Sequence, residues 1–517
     1  MVYPKRWLPI GYLCLVIAVI FVINKHGYDL TVQLSTFQSN KFTVVRNQQL
    51  WRNNINQIQR CISNTFESAA NCPNDCFHHR QSFVNKTFIP LSHNIKLYSA
   101  YLDARNGYES GHTRLIIIVY HDRSILTKLQ FKNQIPKFQC LYQSHKISKQ
   151  YNSASFAGTT YELCENHNLP AKGFIVSCPL PWWVKQLESD HKCDLLEKLK
   201  LTITTQQQSN ISTEVKFDSL IKPVSSEFFP SYGNAPTYNV SVCTPVLHGD
   251  HYTPEMIAEF VLLYQLLGSA HIFVYANLGE LSLDIGRVLI YFMNLGQLTL
   301  ISFKLPYKRH EIWNYGQMVA VEDCLYRNMG LSKYVIFNDL DEFLVPQQAN
   351  HSLSQIFDVS FGNSNIKLHP EVGNSSATTR QIAGVCASTA YFQPERFNGK
   401  NRRKHSNDIV TFKTVKRKQT LDTRLTKCTV KPERIFEMGI HHISRVSDDA
   451  VYQVGRMPSE LGQNFHYKNC ARSLQFIPEC NGPTFEDRII PERYGSKLRR
   501  MLVNVPELEL RFRKRLR

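Results

Sequence analysis

A chain of 517 residues has room for about two or three domains, and a hydrophobic content of 43% excludes a disordered polypeptide. Sixty Lys+Arg against 42 Asp+Glu give a formal charge of +18, which favours anionic partners: nucleic acid, a membrane surface or phosphorylated small molecules. No zinc-finger spacing or aromatic RNA-binding motif accompanies the basic residues, so nucleic acid ranks below a nucleotide-type substrate.

The first predicted element is apolar. Residues 7–23, WLPIGYLCLVIAVIFVI, follow Lys5 and Arg6 and sit at the short end of what spans a bilayer. The alternative is a cleaved signal peptide, but Asn24, Lys25 and His26 follow with no small-residue cleavage pattern. An uncleaved signal-anchor is therefore expected, with residues 1–6 as a cytoplasmic tail and the rest lumenal, as in a type II membrane protein. Fourteen cysteines fit an oxidising lumen, where disulfides are their expected fate. Five sequons, at Asn85, Asn210, Asn239, Asn350 and Asn374, are candidate glycosylation sites, with Asn239 placed at the start of a predicted strand.

Residues 24–90 are polar and without periodicity, as in a stem. Residues 91–236 read as a β-rich lumenal region, with strands at Arg114–Tyr120 and Phe174–Cys178, and the Gln-rich piece Thr202–Thr213 reads as a loop. The Pro-rich passage Phe229–Pro236 marks a boundary. From residue 237 to residue 500 the chain alternates. Strands are predicted at Tyr238–Cys243, His271–Ala276 and Leu298–Phe303, with a fourth from Lys333 to Asn338. Between them lie helices ending at Leu267, at Leu283–Leu295 and at Asn314–Met329. The first helix has Thr253 as cap, Pro254 at its first position and Gly268 as its stop. Such alternation predicts an α/β fold with a mainly parallel central sheet. Further strands are expected at Ile382–Phe392, Ile409–Val415 and Lys427–Lys431, and residues 501–517 form a basic tail.

The fourth strand delivers Asp339-Leu340-Asp341-Glu342-Phe343 to its carboxyl end. That is where open α/β sheets bind ligands. Two hard carboxylates there suit a divalent cation holding a diphosphate. One alternative is that Asp339 and Asp341 only end a strand and cap a helix. Another is an Asp-x-Asp phosphatase, which normally carries its motif on the first strand, not after three βα units. A nucleotide-sugar transferase of GT-A type, with the motif after a βαβαβ half, matches the chain order. His441 and His442 are candidate additional metal ligands, with His466 a third option. A base for an acceptor hydroxyl would be Asp408 or Glu395. Lys400, Arg402, Arg403 and Lys404 are candidates to clamp a diphosphate, or else a solvated basic loop. Thr244 and Pro245, at the end of the first α/β strand, are placed to contact a nucleotide.

These blocks carry a resemblance. Val242-Cys243-Thr244-Pro245, Glu259-Phe260, Tyr264-Gln265-Leu266-Leu267-Gly268, Gln317, Asp323-Cys324 and Asn338–Phe343 resemble glycosyltransferase family 92. So do Tyr98–Arg105 upstream and Met438–His442 and Phe465–Cys470 downstream, all in order. Lys468 stands where family members often have Arg, and Gly362–Ala377 looks like an insertion. The resemblance implies a GT-A fold, a type II Golgi protein, and transfer of galactose in β linkage from UDP-galactose with manganese. A catalytically inactive glycan-binding protein on the same fold is the alternative; the intact acidic motif argues against it.

Overall fold

Nearly unbroken apolar runs such as Leu115–Val119 need cover on both faces. The computed structural model gives it to them. It describes residues 82–105, 110–121, 137–148, 150–184, 199–205, 212–221, 236–362, 380–393, 409–468, 482–506 and 508, all within one compact unit. The predicted span at 7–23, and sequons Asn210 and Asn374, lie outside these residues. Among the described residues no helix is long and apolar enough to cross a membrane.

The amino-terminal part is a β-sheet. Its strands are β1 (Ile95–Asp103), β2 (His112–Tyr120), β3 (Phe138–Ser148), β4 (Gln150–Glu162), β5 (Ala171–Pro179), β6 (Leu199–Thr205), β7 (Ser212–Val215) and β8 (Ser219–Ile221). They lie in the order β8-β1-β2-β5-β4-β3-β6-β7, antiparallel except where β8 joins β1. The stretch Thr202–Thr213, read as a loop, is strand at both ends: alternate burial along β6 and pairing of Thr204 with Ser212 hold it in a hairpin despite its polar composition. One face of the sheet packs on its own core around Leu97, Leu115, Phe138 and Val176. The other supplies Tyr98, Tyr101, Ile116 and Ile175 to the main core. The disulfide Cys140–Cys178 bridges β3 and β5 across β4.

The second part begins at β9 (Tyr238–Leu247). Then follow α1 (Pro254–Leu267), β10 (His271–Ala276), α2 (Leu283–Asn294), β11 (Leu298–Ser302), α3 (Gln317–Asn328) and β12 (Ser332–Phe337). The local signals act as read. Thr253 Oγ1 accepts from Met256 N, Ser282 Oγ accepts from Ile285 N, and Gly268 takes a left-handed φ of 104°. Helix α3 starts three residues later than expected, because Asn314, Tyr315 and Gly316 take left-handed φ values of 41°, 59° and 74° and make a tight turn first.

Strands β11-β10-β9-β12 are parallel neighbours in that order. Residues Phe83–Val84 add a short parallel strand beside β11. Beyond β12 come β13 (Glu342–Pro346), α4 (Leu353–Gly362), β14 (Gln381–Phe392), β15 (Asp422–Val430), β16 (Ile435–Met438), β17 (Ile443–Val446), β18 (Tyr452–Arg456), β19 (Gly462–Tyr467) and α5 (Ile489–Val503). β15 pairs antiparallel with both β12 and β14, so antiparallel strands are added to the expected parallel core; among the described residues six of the eleven strand pairings of this sheet are parallel. Disulfide Cys386–Cys428 joins directly paired residues of β14 and β15. The strand expected at Ile409–Val415 is instead a single helical turn, Val410–Lys413. The buried carboxylate of Glu259 on α1 accepts from Val410 N at 3.1 Å, Thr411 N at 3.0 Å and the Thr411 hydroxyl at 2.6 Å, which gathers those donors into a helix start.

This topology positions the site. The crossover from β9 runs to β10 on one side, while β12 lies on the other. The carboxyl ends of β9 and β12 therefore open a crevice at a topological switch point.

Candidate active site

The acidic motif is the connection from β12 to β13. Asn338 N donates to Cys243 O at 3.2 Å, tying the end of β12 to the end of β9. Glu342 N donates to Asp339 O at 3.0 Å and closes the turn. β13 pairs antiparallel with β19, placing Glu342 opposite His466, and Tyr467 N donates to Asp341 O at 2.9 Å. Beneath the turn, Asn338 Nδ2 donates to Asn464 Oδ1 at 2.9 Å, and Asn464 Nδ2 donates to Thr389 Oγ1 at 3.1 Å. The hydroxyl of buried Tyr264 accepts from Leu344 N at 3.2 Å. Three strands and a helix thus fix the carboxylates' backbone in a buried polar relay.

The charges are arranged in layers. Glu342 is 2% exposed, and Asp339 and Asp341 are 32% and 38% exposed. Lys427 of β15, only 3% exposed, puts its Nζ at 3.1 Å from both Asp339 Oδ2 and Glu342 Oε2. His466 Nδ1 lies 3.0 Å from Glu342 Oε1, and its Nε2 lies 3.4 Å from Asp341 Oδ2. Burial raises the Glu342 carboxyl, but Lys427 and His466 outweigh it and hold it below the usual range. Burial would lower His466; Glu342 and Asp341 reverse that and push it up to about 10. Asp339 is shifted upward, first by burial, with Glu342 and Asp341 adding to it against Lys427.

In front of the cluster is a small hollow. It is lined by Thr244 and Pro245 from β9, Gln317 from α3, Asn338 and Asp339 from the turn, Lys427 from β15, and Gly439 and Ile440. Gln317 Nε2 donates to Asp339 Oδ1 at 3.5 Å. Disulfide Cys243–Cys324 ties β9 to α3 beneath it. The sequence-read Thr244, Pro245 and Asp339 therefore line one hollow, while Asp341 pairs with His466.

The histidine doublet divides. His441 Nδ1 lies 3.3 Å from Thr426 O, and Thr426 Oγ1 donates to His441 O at 2.7 Å. Burial, with Lys427 adding to it, pushes this imidazole down to about 4, and it senses the charge of Glu342. His442 is paired with Glu165, Nδ1 to Oε1 3.7 Å. The two sit in the turn between β16 and β17. Glu395, Asp408 and the basic loop Lys400–Lys404 lie outside the described residues. Of the sequons, Asn85, Asn239 and Asn350 are exposed. Asn85 Oδ1 accepts from Ser302 Oγ at 3.4 Å, and Asn239 Nδ2 donates to Ser354 Oγ at 2.8 Å.

Sequence reasoning missed Lys427 and the supports Asn338 and Asn464. The signal for Lys427 was present: one lysine inside Leu425-Thr426-Lys427-Cys428-Thr429-Val430, where a strand of this composition offers it no water.

Comparison with known proteins agrees with this geometry. The family model Glycosyltransferase family 92 matches residues 238–502. Beta-1,4-galactosyltransferase galt-1 of Caenorhabditis elegans is 27% identical over 412 residues, covering 80% of each chain. Galactan beta-1,4-galactosyltransferase GALS3 of Arabidopsis thaliana is 24% identical over 222 residues, 43% of this chain and 40% of that one. Among solved structures, glucosyl-3-phosphoglycerate synthase of Mycobacterium tuberculosis, in complex with Mn2+, UDP and phosphoglyceric acid, matches at 13% identity with a TM-score of 0.22. It covers 48% of this chain and 80% of that one. S. aureus TarS 1–349 matches at 9% identity and a TM-score of 0.22, covering 52% and 66%. At such scores these structures carry no argument about this chain.

Proposed function

The chain belongs to glycosyltransferase family 92, which makes it a hexosyltransferase, and from that premise we propose that it transfers galactose from UDP-galactose to a glycan acceptor with inversion. The observation that carries this reading is the hollow at the switch point, where Thr244 and Pro245 of β9 meet Asp339 and Lys427. A GT-A arrangement places the nucleotide at the β9 end and its diphosphate at the acidic turn. The donor set fits a hard divalent cation such as Mn2+: Asp339 and Asp341 are two carboxylates that keep about a third of their side-chain surface open. Bound there, such an ion supplies Lewis-acid stabilisation of a departing diphosphate.

The chain's own residues do the rest. Lys427 keeps Asp339 and Glu342 in place and offers positive charge at the wall of the hollow. Gln317 orients Asp339 from α3. Inversion by single displacement needs a base for the acceptor hydroxyl, a role we assign to Asp408, with Glu395 as its alternative. The relatives named galactosyltransferases support the donor, and the disulfides among the described residues support a secretory setting. We place the enzyme in the Golgi membrane, anchored by residues 7–23 with its catalytic part in the lumen.

The test is transfer from labelled UDP-galactose to a panel of oligosaccharide acceptors, with and without manganese. Wild type should transfer only with the metal. Asp341→Asn should abolish transfer while leaving the near-ultraviolet circular dichroism unchanged. Full activity in that variant would refute the metal role.

A further inference from the structure

A second group of ligating side chains lies outside the acidic turn. Cys164 and Glu165 sit in the loop after β4, and His442 sits in the turn between β16 and β17. One ligand atom from each falls within 4.8 Å of the other two. The three are held by neighbours. Cys164 N donates to Glu437 Oε1 at 2.7 Å, and Glu165 Oε1 accepts from Ile440 N at 2.8 Å. The His442 ring rests on Gly439, where an added Cβ would come within 2.6 Å of it. The loop itself is closed by Asn166, whose Nδ2 donates to Leu163 O and whose Oδ1 accepts from Gly173 N.

The electrostatics around them are unbalanced. Glu437 and Glu322 are both fully buried, and one carboxylate oxygen of Glu322 has no hydrogen-bond partner. Among the described residues no Lys or Arg nitrogen lies within 4 Å of Glu165, Glu322 or Glu437; the cationic partner is His442, and only when protonated. Glu437 is satisfied by Tyr161, Ser444 and the Cys164 amide, and burial pushes the Glu322 carboxyl well above its usual range, which leaves Glu165 as the carboxylate that faces Cys164 and His442.

We propose that Cys164, Glu165 and His442 form a second metal site, selective for zinc and separate from the acidic turn. Thiolate, imidazole and carboxylate are a borderline-soft set that favours Zn2+ over manganese, with water completing the coordination. The bond to sulfur forms as the thiol gives its proton to solvent, so binding is proton-coupled. The ion would fasten the amino-terminal sheet to the turn whose Gly439 and Ile440 line the hollow.

The test uses the purified full chain, stripped with a chelator and titrated with Co2+ and then Zn2+. The proposal expects one equivalent of Co2+ with a sulfur-to-cobalt charge-transfer band in the near ultraviolet, removed by one equivalent of Zn2+. Cys164→Ser should lose that band. His442→Asn should keep the fold, judged by circular dichroism, and weaken zinc binding by at least about 10-fold, since each ligand supports the others. Asp341→Asn should leave the band unchanged, which separates this site from the transferase reading. No band in wild type, or a band that survives Cys164→Ser, would overturn the proposal.

Discussion

Lys427→Met is the sharpest perturbation of the site, because it removes one charge and little volume. The lysine sits 3.1 Å from two carboxylates, but they are not equivalent. Asp339 is about a third exposed, so water takes over much of what the ammonium supplied, and its share is small. Glu342 is 2% exposed and cannot be rehydrated. Breaking a buried ion pair by removing one partner costs about 3–5 kcal/mol. His466 remains 3.0 Å from Glu342 and keeps part of the compensation, so we expect the lower end, about 3 kcal/mol. Lys427→Met/Glu342→Gln removes the stranded charge as well, and the amide oxygen of glutamine can accept from Asp339 N as Glu342 Oε2 does. The double variant should therefore be more stable than the sum of the single changes by about 1–3 kcal/mol. Urea unfolding followed by tryptophan fluorescence, for all four corners of the cycle, measures this. A single variant within about 0.5 kcal/mol of wild type, or strictly additive changes, would refute the reasoning that Lys427 is the internal counter-ion of the acidic turn.

Other outcomes are equally specific. Replacing both Cys243 and Cys324 by alanine opens a cross-link spanning 81 residues. Chain entropy sets that loss at about 4–5 kcal/mol, read as a lowered denaturation midpoint under non-reducing conditions; a change under 1 kcal/mol would contradict it. Asp103 accepts from Arg105 and Arg114 at 2.8 and 3.0 Å, and although burial raises its carboxyl, the two guanidinium groups hold it below the usual range. Its contribution is thus present above the unfolded carboxyl's pKa, about 4, and is lost as pH falls toward the depressed folded value. Asp103→Asn should flatten the acid limb of the melting temperature against pH, and an unchanged slope would count against this assignment. Gly384 of β14 has no room for a side chain: an added Cβ would lie 2.3 Å from Ile443 Cδ1 and 3.0 Å from the backbone oxygen of Thr429. Gly384→Ala should lower stability by about 1–3 kcal/mol, and a neutral result in the same urea assay would show that the sheet gives way there.

The Asp103-Ala104-Arg105 block shows why some sequence signals are legible only in part. Its resemblance to a family signature is visible in the chain, but its task is not. In the fold, Arg105 leaves β1 to donate to the carbonyls of Glu433 and Ile435, more than 300 residues later. The signature is a clasp between the two halves of the core.

What the sequence by itself determined is local. Thr253, Ser282 and Gly268 start and stop their helices through contacts within a few residues, and the run from Tyr334 to Phe337 carries Asp339 to a strand end wherever that strand lies. Periodicity and capping act over one turn or one pleat, so they survive translation into structure. Only the tertiary structure decided what surrounds the acidic turn. Lys427 arrives on an antiparallel strand 88 residues after Asp339, and His466 on another, opposite Glu342 in the β13–β19 register. The same pairing added antiparallel strands to the parallel core. Which carboxylate is neutralised, and by which cation, depends on strand register across long loops, and a linear pattern of residue types does not encode that.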